Sequence, residues 1–469
     1  MTRRLSALIA LFTLMSSGTS SGQQPPPTSS ARPARPQVSA GIATGVAGPQ
    51  QHTLAFQRGK WWANGRFVDR TMYAVDGVFR ERPPAHVDST IDLHNTYVVP
   101  PFGDAHAHHF DSPRNIHQIV AMNLEDGIFY GMSLTNSIAG KRAVADDVNH
   151  PQSMDVAYSD AGLTASLGHP SEVYEALALG VYAAYGRVSP DSLHVLQALA
   201  HRSRQAENDA YVVLDSAPDV ERKWPMILAS RPDIIKIFLE HSEHYDSLRR
   251  DTAVSGNKGL DPALVPLIVS RAHAAGLRVA AHVQSPADFH TAVASGVDLI
   301  AHLPGYEFYH DEDPRTYWLS AADVALAMRH HVTVIATASL AAATAGADSA
   351  WLHRMQGALR RNMRALRDAG IPIALGSDFY GVDTKREALY LHGLSDWSNH
   401  ALLTAWAEVT PALIFPKRKI GRLEDGYEAS FLALAGNPLA DFANTGHIVL
   451  RVKQGHVLAP PDSAARCCE

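Results

Sequence analysis

Short apolar runs separated by helical segments fill the middle of the chain, residues 98–416. Eight strand-like runs occur, at 97–99, 128–130, 155–158, 234–239, 278–282, 299–302, 332–336 and 373–375. Two helical segments between them, 262–275 and 357–369, end at or next to a glycine, a common helix stop. Eight such repeats in roughly 300 residues predict an α/β fold, a (β/α)8 barrel with its active site at the carboxyl ends of the strands. An open doubly wound sheet is the alternative, but no Gly-x-Gly-x-x-Gly turn follows any early strand.

Both ends of the chain have a different pattern, made of short β-type pieces and tight turns. Residues 53–97 contain Asn64-Gly65 and Asp76-Gly77, dipeptides that are typical of hairpin turns. Residues 417–460 again contain short apolar pieces separated by glycine-containing turns. We expect the two segments to form one small β-sandwich beside the barrel, followed by a tail at 461–469.

The first 22 residues have the pattern of a secretory signal peptide. Arg3 and Arg4 precede an apolar run at 5–15, and small or polar residues follow. The run is short for a membrane span, and a disordered start or an uncleaved anchor is the alternative. Residues 23–52 are rich in proline, serine, alanine and glycine and predict a disordered linker. We therefore expect an exported protein, periplasmic or secreted, with no membrane span after removal of the signal.

Composition narrows the choice of partners. The 469 residues are 46% hydrophobic, which is ample for a large core, and their formal net charge is −6. No stretch has the density of lysine and arginine that nucleic-acid binding requires, so we expect a small-molecule substrate and no nucleic-acid partner. The composition does not decide whether the protein forms a homo-oligomer. The two cysteines, Cys467 and Cys468, are adjacent and exclude a framework of disulfides across the fold.

Several predicted strands end in side chains that bind metals. His106 and His108 lie two residues apart at the end of the first strand, so their imidazoles point the same way and can share a zinc ion. His282 and His302 end the fifth and sixth strands, and Asp378 follows the eighth. Taken singly, each could be a solvated or hydrogen-bonded polar residue, which is the commoner role of a lone histidine. Because all of them would meet at one rim of a barrel, together they predict a metal site.

Lys236 is a further polar residue in an unusual position. It lies inside the apolar run 234–239 of the fourth strand. An unpaired buried lysine is costly and normally loses its charge. A salt bridge across the barrel is one explanation, and participation in the site at the rim is the other.

Taken in order, these residues resemble the metal-dependent amidohydrolase superfamily over residues 54–458. The motifs are Pro-x-x-Asp-x-His-x-His at 101–108, Asp-Ile-Ile-Lys-Ile at 233–237, the segments 272–282 and 294–302, Gly-Ser-Asp at 376–378, and the segment 420–426. Within the superfamily, the set is similar to the branch of imidazolonepropionase-like and prolidase-like enzymes. The chain departs from it after Ala429, where Ser430-Phe431 follows and the family usually has an aspartate.

The resemblance implies a distorted TIM (β/α)8 barrel with a composite β-sandwich, and two divalent metal ions, with zinc as the default. It implies six metal ligands, which are His106, His108, Lys236, His282, His302 and Asp378. The first two histidines and the aspartate would hold the more buried ion, the other two histidines the second, and Lys236 would bridge both as its N-carboxylated form. A metal-bridging hydroxide would attack a C–N bond of an amide, cyclic amide or peptide-like substrate, with Asp378 as general base.

Substrate choice would depend on the loops after the strands. His169 lies in the loop 162–170, a region that touches substrate in related enzymes, and a surface histidine is the alternative. The segment 240–260 carries His241, His244, Tyr245, Arg249 and Arg250. Arginine there could recognise a carboxylate, or the segment could be a solvated loop. We predict His169, His241 and Tyr245 as substrate contacts.

Two other functions fit the same residues. The same metal site could hydrolyse lactones, esters or phosphoesters, because the ligands do not reveal the leaving group. The chain could also be a non-catalytic binding protein on this scaffold. A retired scaffold should have lost ligands, whereas all six are present here.

Overall fold

The computed structural model describes residues 52–459, except 185, 186 and 395, and its strands form three sheets. The predicted signal peptide, the predicted linker up to residue 51 and the tail at 461–469 lie outside the described residues. None of the helices in the described ranges has both the length and the apolar character that a membrane crossing requires.

The strands are numbered along the chain. They are β1 (Thr53–Ala63), β2 (Arg66–Val75), β3 (Val78–Arg80), β4 (Ser89–Asp92), β5 (Tyr97–Val99), β6 (Phe102–Ala107), β7 (Ile128–Ser133), β8 (Asp155–Tyr158), β9 (Gly162–Thr164), β10 (Tyr211–Val213), β11 (Ile235–Phe238), β12 (Val279–His282), β13 (Leu299–Ala301), β14 (Thr333–Ala336), β15 (Ile373–Leu375), β16 (Phe431–Leu434), β17 (Ile448–Lys453) and β18 (His456–Val457).

The α-helices are numbered in the same way. They are α1 (Ile116–Glu125), α2 (Ile138–Ala143), α3 (Ser171–Ala178), α4 (Val181–Ala184), α5 (Pro190–Arg202), α6 (Ala217–Ala229), α7 (Tyr245–Leu248), α8 (Val265–Ala274), α9 (Pro286–Ala294), α10 (Ala321–Arg329), α11 (Leu340–Ala345), α12 (Ser349–Asp368), α13 (Thr384–Gly393), α14 (Asn399–Thr404) and α15 (Thr410–Ile414). Short 3-10 helices occupy Ser242–His244, Pro262–Leu264, Pro314–Tyr317 and Phe442–Gly446, and a π-helical turn occupies Ala405–Val409.

The two ends of the chain share one eight-stranded sheet. Its order is β18-β17-β16-β5-β1-β2-β3, with β4 paired to β1. The described residues place both termini in one sheet, and a β-sandwich of two sheets is not shown among them. The C-terminal strands join the N-terminal ones edge to edge, with Leu432 opposite Val99. Buried aromatic rings cover this sheet, and the Phe431 ring centroid lies 4.8 Å from that of Phe56 and 5.2 Å from that of Trp61.

Parallel strands form the other two sheets. One has seven strands in the order β10-β9-β11-β12-β13-β14-β15, and the other has three in the order β6-β7-β8. Every pair in both sheets is parallel, so the carboxyl ends of neighbouring strands lie at the same edge. This confirms a mixed α/β fold with parallel sheets. The hydrogen-bonded strands form two ladders and not one continuous ladder, so closure of a (β/α)8 barrel stays a prediction.

Two predicted segments differ from the structure. The opening strand at 97–99 is β5 of the terminal sheet, and a separate strand, β6, carries the first histidine. Pro100 and Pro101 separate the two strands, because proline has no backbone N–H for a ladder. The predicted loop 162–170 begins with strand β9, a run of only three residues.

Packing behind β6 fixes the position of this strand. Phe102 at its start is stacked on the indole of Trp406, with ring centroids 3.8 Å apart and planes within 6°. The Nε1–H of Trp406 donates to Oγ1 of Thr384 at 2.9 Å, and that hydroxyl donates to the carbonyl of Gly103 at 3.0 Å. All four residues are buried, so the strand that carries His106 rests on a rigid support.

Candidate metal centre

The six predicted ligands lie at or near the carboxyl ends of parallel strands. Their positions are His106 within β6, His108 just after it, Lys236 within β11, His282 at the end of β12, His302 just after β13 and Asp378 after β15. Four of them are at least 95% buried, namely His106, Lys236, His282 and His302. These polar groups lie within or just after buried apolar runs, because each strand is covered on both faces.

Three of the side chains meet in direct contact. The Nε2 atoms of His106 and His108 are 3.1 Å apart. The Oδ1 atom of Asp378 lies 2.8 Å from Nε2 of His108 and 3.3 Å from Nε2 of His106. Two imidazole nitrogens and a carboxylate oxygen thus converge on one point, a donor set that suits zinc.

His302 adds a third imidazole to this cluster. Its ring centroid is 4.8 Å from that of His106, and its Nδ1 lies 3.4 Å from Oδ2 of Asp378. Potential ligand atoms of His106, His302 and Asp378 all lie within 4.8 Å of one another. The same Nδ1 atom is 2.8 Å from Oγ1 of Thr337, at the end of the neighbouring strand β14. This hydroxyl orients the ring.

His282 lies on the other side of His302. The two ring centroids are 4.7 Å apart. Nε2 of His282 is 3.1 Å from Oε2 of Glu240, and the His169 ring centroid lies 4.8 Å from the His282 ring. The cluster therefore continues from β6 across to β11 and β12.

Burial keeps the imidazoles neutral. Desolvation is the largest cause in each case, and it lowers the pKa of His282 to about 4 and the pKa values of His106 and His302 well below the usual range. Neighbouring positive groups, including Lys236, lower the pKa values of these rings further. A neutral imidazole offers a nitrogen lone pair, the form in which histidine binds metals. The residues at this site therefore fit divalent cations.

Lys236 is the most unusual member of the cluster. It is 1% exposed, and its Nζ has no hydrogen-bond partner among the described residues. Desolvation lowers the pKa of Lys236 to about 7, against the opposing effect of the Asp378 carboxylate. The Nζ atom lies 5.1 Å from the centre of the Phe238 ring. A lysine whose pKa is about 7 has a substantial neutral fraction at pH 7. This fits the predicted N-carboxylation, because only the neutral amine is nucleophilic.

Two of the ligand positions have a strained backbone. His302 has φ 75° and Asp378 has φ 51°, the left-handed region that side chains other than glycine rarely adopt. Such outliers commonly occur at functional sites, where the surrounding structure holds them in place. Here the N–H of Asp378 donates to the carbonyl of His106 at 2.7 Å, which fixes the turn after β15 against β6.

Asp104, which lies on β6, connects this strand to the turn after β15. Its Oδ1 accepts hydrogen bonds from the N–H groups of His106 at 3.1 Å and Ser377 at 3.0 Å. It is fully buried, and desolvation raises the pKa of Asp104 to about 7. The sequence motif at 101–108 contains this aspartate, but its spacing alone does not show that it ties two strand ends together.

The predicted substrate contacts lie at different distances from the cluster. His169 is close to it, beside His282, and its Nδ1 is 2.6 Å from Oε1 of Glu172. His241 follows Glu240 in the sequence, and its Nε2 lies 3.8 Å from Oε1 of Glu240. His241 lines a groove of about 480 Å³ together with Glu243, His244, Leu248, Asn257, Ser285, Pro286, Tyr309, Glu312, Asp313, Thr316 and Tyr317.

Tyr245 and Arg249 lie further along the same segment, 240–260. Tyr245 begins helix α7, and burial raises its pKa to about 12, with Asp261 and Asp215 as its main charged neighbours. Neither Tyr245 nor Arg249 is among the residues that line the groove beside His241. Arg249 pairs with Asp246 at 3.4 Å while its side chain is 47% exposed, as in the alternative of a solvated loop.

Sequence reasoning gave no role to several residues of the centre. Glu240 contacts His282, Thr337 contacts His302, and the ring of Tyr306 lies 5.0 Å from that of His302. Each follows a parallel strand or lies in the loop after one. Because Glu240 and Thr337 directly follow apolar runs, their sequence positions could have indicated that they lie near the site.

Comparison with known proteins supports the assignment of the fold. No family model and no curated protein sequence matches the chain. Solved structures do match. An amidohydrolase is 19% identical with a TM-score of 0.63, covering 87% of this chain and 99% of its own. Ochratoxinase from A. niger is 17% identical with a TM-score of 0.65, covering 88% and 97%. A prolidase complexed with N-methylphosphonate-L-proline is 18% identical with a TM-score of 0.62, covering 87% and 99%.

These likenesses extend over nearly the whole length of the solved chains. They agree with the resemblance carried by the motifs at 101–108, 233–237 and 376–378. The described residues therefore confirm, at the level of the fold, that the chain has the scaffold of amidohydrolase and prolidase structures.

Proposed function

We propose that this chain is a metal-dependent hydrolase of C–N bonds in amide, cyclic amide or peptide-like substrates. The observation that carries the proposal is the convergence of His106, His108, His302 and Asp378 at one edge of the parallel strands. Their nitrogen and oxygen atoms form a donor set for a divalent cation, and burial lowers the pKa values of His106 and His302, which keeps these two imidazoles neutral.

The names of similar structures support this class of reaction. They include an amidohydrolase, a prolidase, a Xaa-Pro dipeptidase with bound methionine, molinate hydrolase and phenylurea hydrolase B. The position of the cluster also supports the proposal, because α/β enzymes with parallel strands keep their reactive groups at the carboxyl ends of the strands.

We assign six side chains to two divalent ions, with zinc as the default. His106, His108 and Asp378 would hold one ion, and His282 and His302 the other. Lys236 would bridge them as a carbamate, which turns a buried amine that has no hydrogen-bond partner among the described residues into an anionic oxygen ligand. When bound, the ions would supply electrophilic polarisation of the substrate and activation of water.

Asp378 is the proton carrier of the proposed mechanism. One carboxylate oxygen can take the proton of the attacking water, and the same group can return it to the leaving nitrogen. Its side chain is 14% exposed, so it is shielded from bulk solvent but still open to a bound substrate. General-base catalysis of this kind typically contributes about 10²–10⁴-fold to the rate.

The neighbouring residues would orient the substrate. His169 lies beside His282 and is held by Glu172, which leaves its ring at the edge of the cluster. The groove of about 480 Å³ beside His241 has a volume within the range of small-molecule sites. Its walls contain tyrosine rings and carboxylates, which can pack against apolar groups and pair with cationic groups of a substrate.

Matched substrates test the proposal. The zinc-loaded protein should be assayed against pairs that share an acyl group and differ in an amine or alcohol leaving group, together with dipeptides, lactones and phosphotriesters. We expect turnover of amide or peptide-like members that is lost with a chelator and restored by zinc. Turnover restricted to esters, lactones or phosphotriesters would replace the proposal with the alternative hydrolase, and no metal-dependent turnover would remove it.

A further inference from the structure

Glu240 makes a buried contact with one of the proposed metal ligands. It is 3% exposed and follows strand β11 by two residues. Its Oε2 lies 3.1 Å from Nε2 of His282, which is itself buried. The backbone supports this contact, because the N–H of Leu239 donates to the carbonyl of His282 at 3.1 Å. The position of Glu240 beside the ring is therefore set by the pairing of β11 with β12.

This contact determines which ring nitrogen carries the proton. An ionised carboxylate can only accept hydrogen bonds, so the partner nitrogen of a neutral imidazole must be the one that bears hydrogen. In His282 that nitrogen is Nε2. The lone pair then lies on Nδ1, the only ring atom left to bind a cation.

We propose that Glu240 is a positioning residue that holds His282 in the Nε2–H tautomer and so presents Nδ1 to the second metal ion. The inference rests on the proposed function for its metal, but not for the tautomer itself. Carboxylate partners of ligating histidines typically matter by about 10–100-fold in metal affinity.

Glu243 offers a matched control on the same loop. Its carboxylate accepts a hydrogen bond from Oγ of Ser285 at 2.7 Å and lies 3.6 Å from Nδ1 of His241. It is the same residue type as Glu240 and lies on the same loop, while Ser285 and His241, which it contacts, are not proposed metal ligands.

Metal retention tests the role of the acceptor. Wild type, Glu240→Leu, Glu240→Gln and Glu243→Gln should be titrated with a chromophoric chelator, and their zinc content measured. We expect Glu240→Leu to bind its weaker ion about 10–100-fold less tightly with the tighter ion unchanged, and Glu240→Gln to stay within about threefold of wild type because its amide oxygen still accepts from Nε2–H. Wild-type retention in Glu240→Leu, or an equal loss in the glutamine variant, would overturn the proposal.

A spectroscopic measurement keeps the inference testable if the leucine variant does not fold. Histidine labelled with nitrogen-15 should be incorporated into the metal-free wild-type protein, and the His282 signals assigned by their loss in His282→Asn. We expect a protonated Nε2 and an unprotonated Nδ1. A proton on Nδ1 would overturn the tautomer assignment. A wild type that shows the expected tautomer but binds no metal would instead contradict the proposed function.

Discussion

The backbone N–H of Asp378 donates to the carbonyl of His106 at 2.7 Å. The hydroxyl of Ser377 donates to the same carbonyl, although Ser377 and His106 are 271 positions apart in the sequence. This bond joins the turn after β15 to the end of β6. It places Asp378 against His106 and His108. Asp104 strengthens this junction, because its carboxylate accepts hydrogen bonds from the N–H groups of both His106 and Ser377. The geometry of the candidate metal centre therefore depends on buried hydrogen bonds.

Replacing Asp104 should test this junction. In Asp104→Ala the N–H groups of His106 and Ser377 lose their shared acceptor. Leaving a buried donor without a partner costs about 1–3 kcal/mol, so we expect a loss of unfolding free energy of at least that order. Urea unfolding of the metal-free protein measures it without a contribution from bound ions.

Asp104→Asn is the matched control for this experiment. Its side-chain oxygen can still accept from both N–H groups, so the loss of stability should be clearly smaller than in the alanine variant. Equal stability of the alanine variant and wild type would show that the junction is not held by Asp104.

Removing Lys236 should change the metal content. In Lys236→Ala the proposed bridging ligand is gone, and the fully buried position becomes a small cavity. We expect the zinc content, measured by elemental analysis, to fall from close to two ions per chain to close to one or below. Lys60→Ala is the control, because Lys60 lies on strand β1 and pairs with the exposed Asp69.

Unchanged zinc content in Lys236→Ala would contradict the bridging role. A wild type that holds one tight ion and a variant that holds the same ion would contradict the two-ion assignment as well. Circular dichroism of both variants separates loss of metal from loss of fold.

Glu387 should give the protein a pH-dependent stability. It is fully buried on α13, and its carboxylate accepts hydrogen bonds from the N–H groups of Ala338 and Ser339, both at 2.7 Å. Desolvation, which outweighs those bonds, raises its pKa to about 7. An acid with a raised folded-state pKa favours folding while it is protonated, so its contribution is greatest below the unfolded-state pKa and is lost as pH rises from about 4.3 to 7.

The comparison with Glu387→Gln isolates this contribution. We expect the difference in unfolding free energy, wild type minus variant, to decrease by the order of 1–3 kcal/mol between pH 4 and pH 8, since glutamine does not titrate. Urea unfolding across that range measures it. A difference that is constant or that grows with pH would show that the buried carboxylate does not have a raised pKa.

The sequence predicted the strands near the centre better than the ends of the chain. Residues 155–158 and 373–375 are the strands β8 and β15 with those bounds, because their apolar runs are bounded by clear breaks. The arrangement of the terminal strands could not be predicted, for a physical reason. Short β pieces show which residues are extended, but pairing of β16 with β5 depends on which strand edges meet in space.

The contacts around the ligands could not be predicted in the same way. A histidine after an apolar run indicates that its side chain reaches the rim. The acceptor that holds its second nitrogen comes from a neighbouring strand, as Glu240 does for His282 and Thr337 for His302. Those partners depend on strand register and on the left-handed turn at His302, neither of which the residue pattern reveals.

Asp378→Asn should separate proton transfer from metal binding. The asparagine has nearly the same shape, tolerates the left-handed backbone at φ 51°, and keeps the N–H bond to His106. Its amide oxygen can still approach a cation, but it cannot accept a proton. We therefore expect turnover to fall by about 10²–10⁴-fold while zinc content stays above roughly half of the wild-type value.

The control for this change is Asp311→Asn, because Asp311 is exposed and lies in the loop after β13. Steady-state turnover and elemental analysis should be carried out on the same preparations, so that activity is expressed per bound ion. A fall in turnover that matches the fall in zinc would make Asp378 a ligand alone. Near-wild-type turnover at full zinc content would remove this aspartate from proton transfer, and His169, which lies beside His282, would then be the first residue to test as the base.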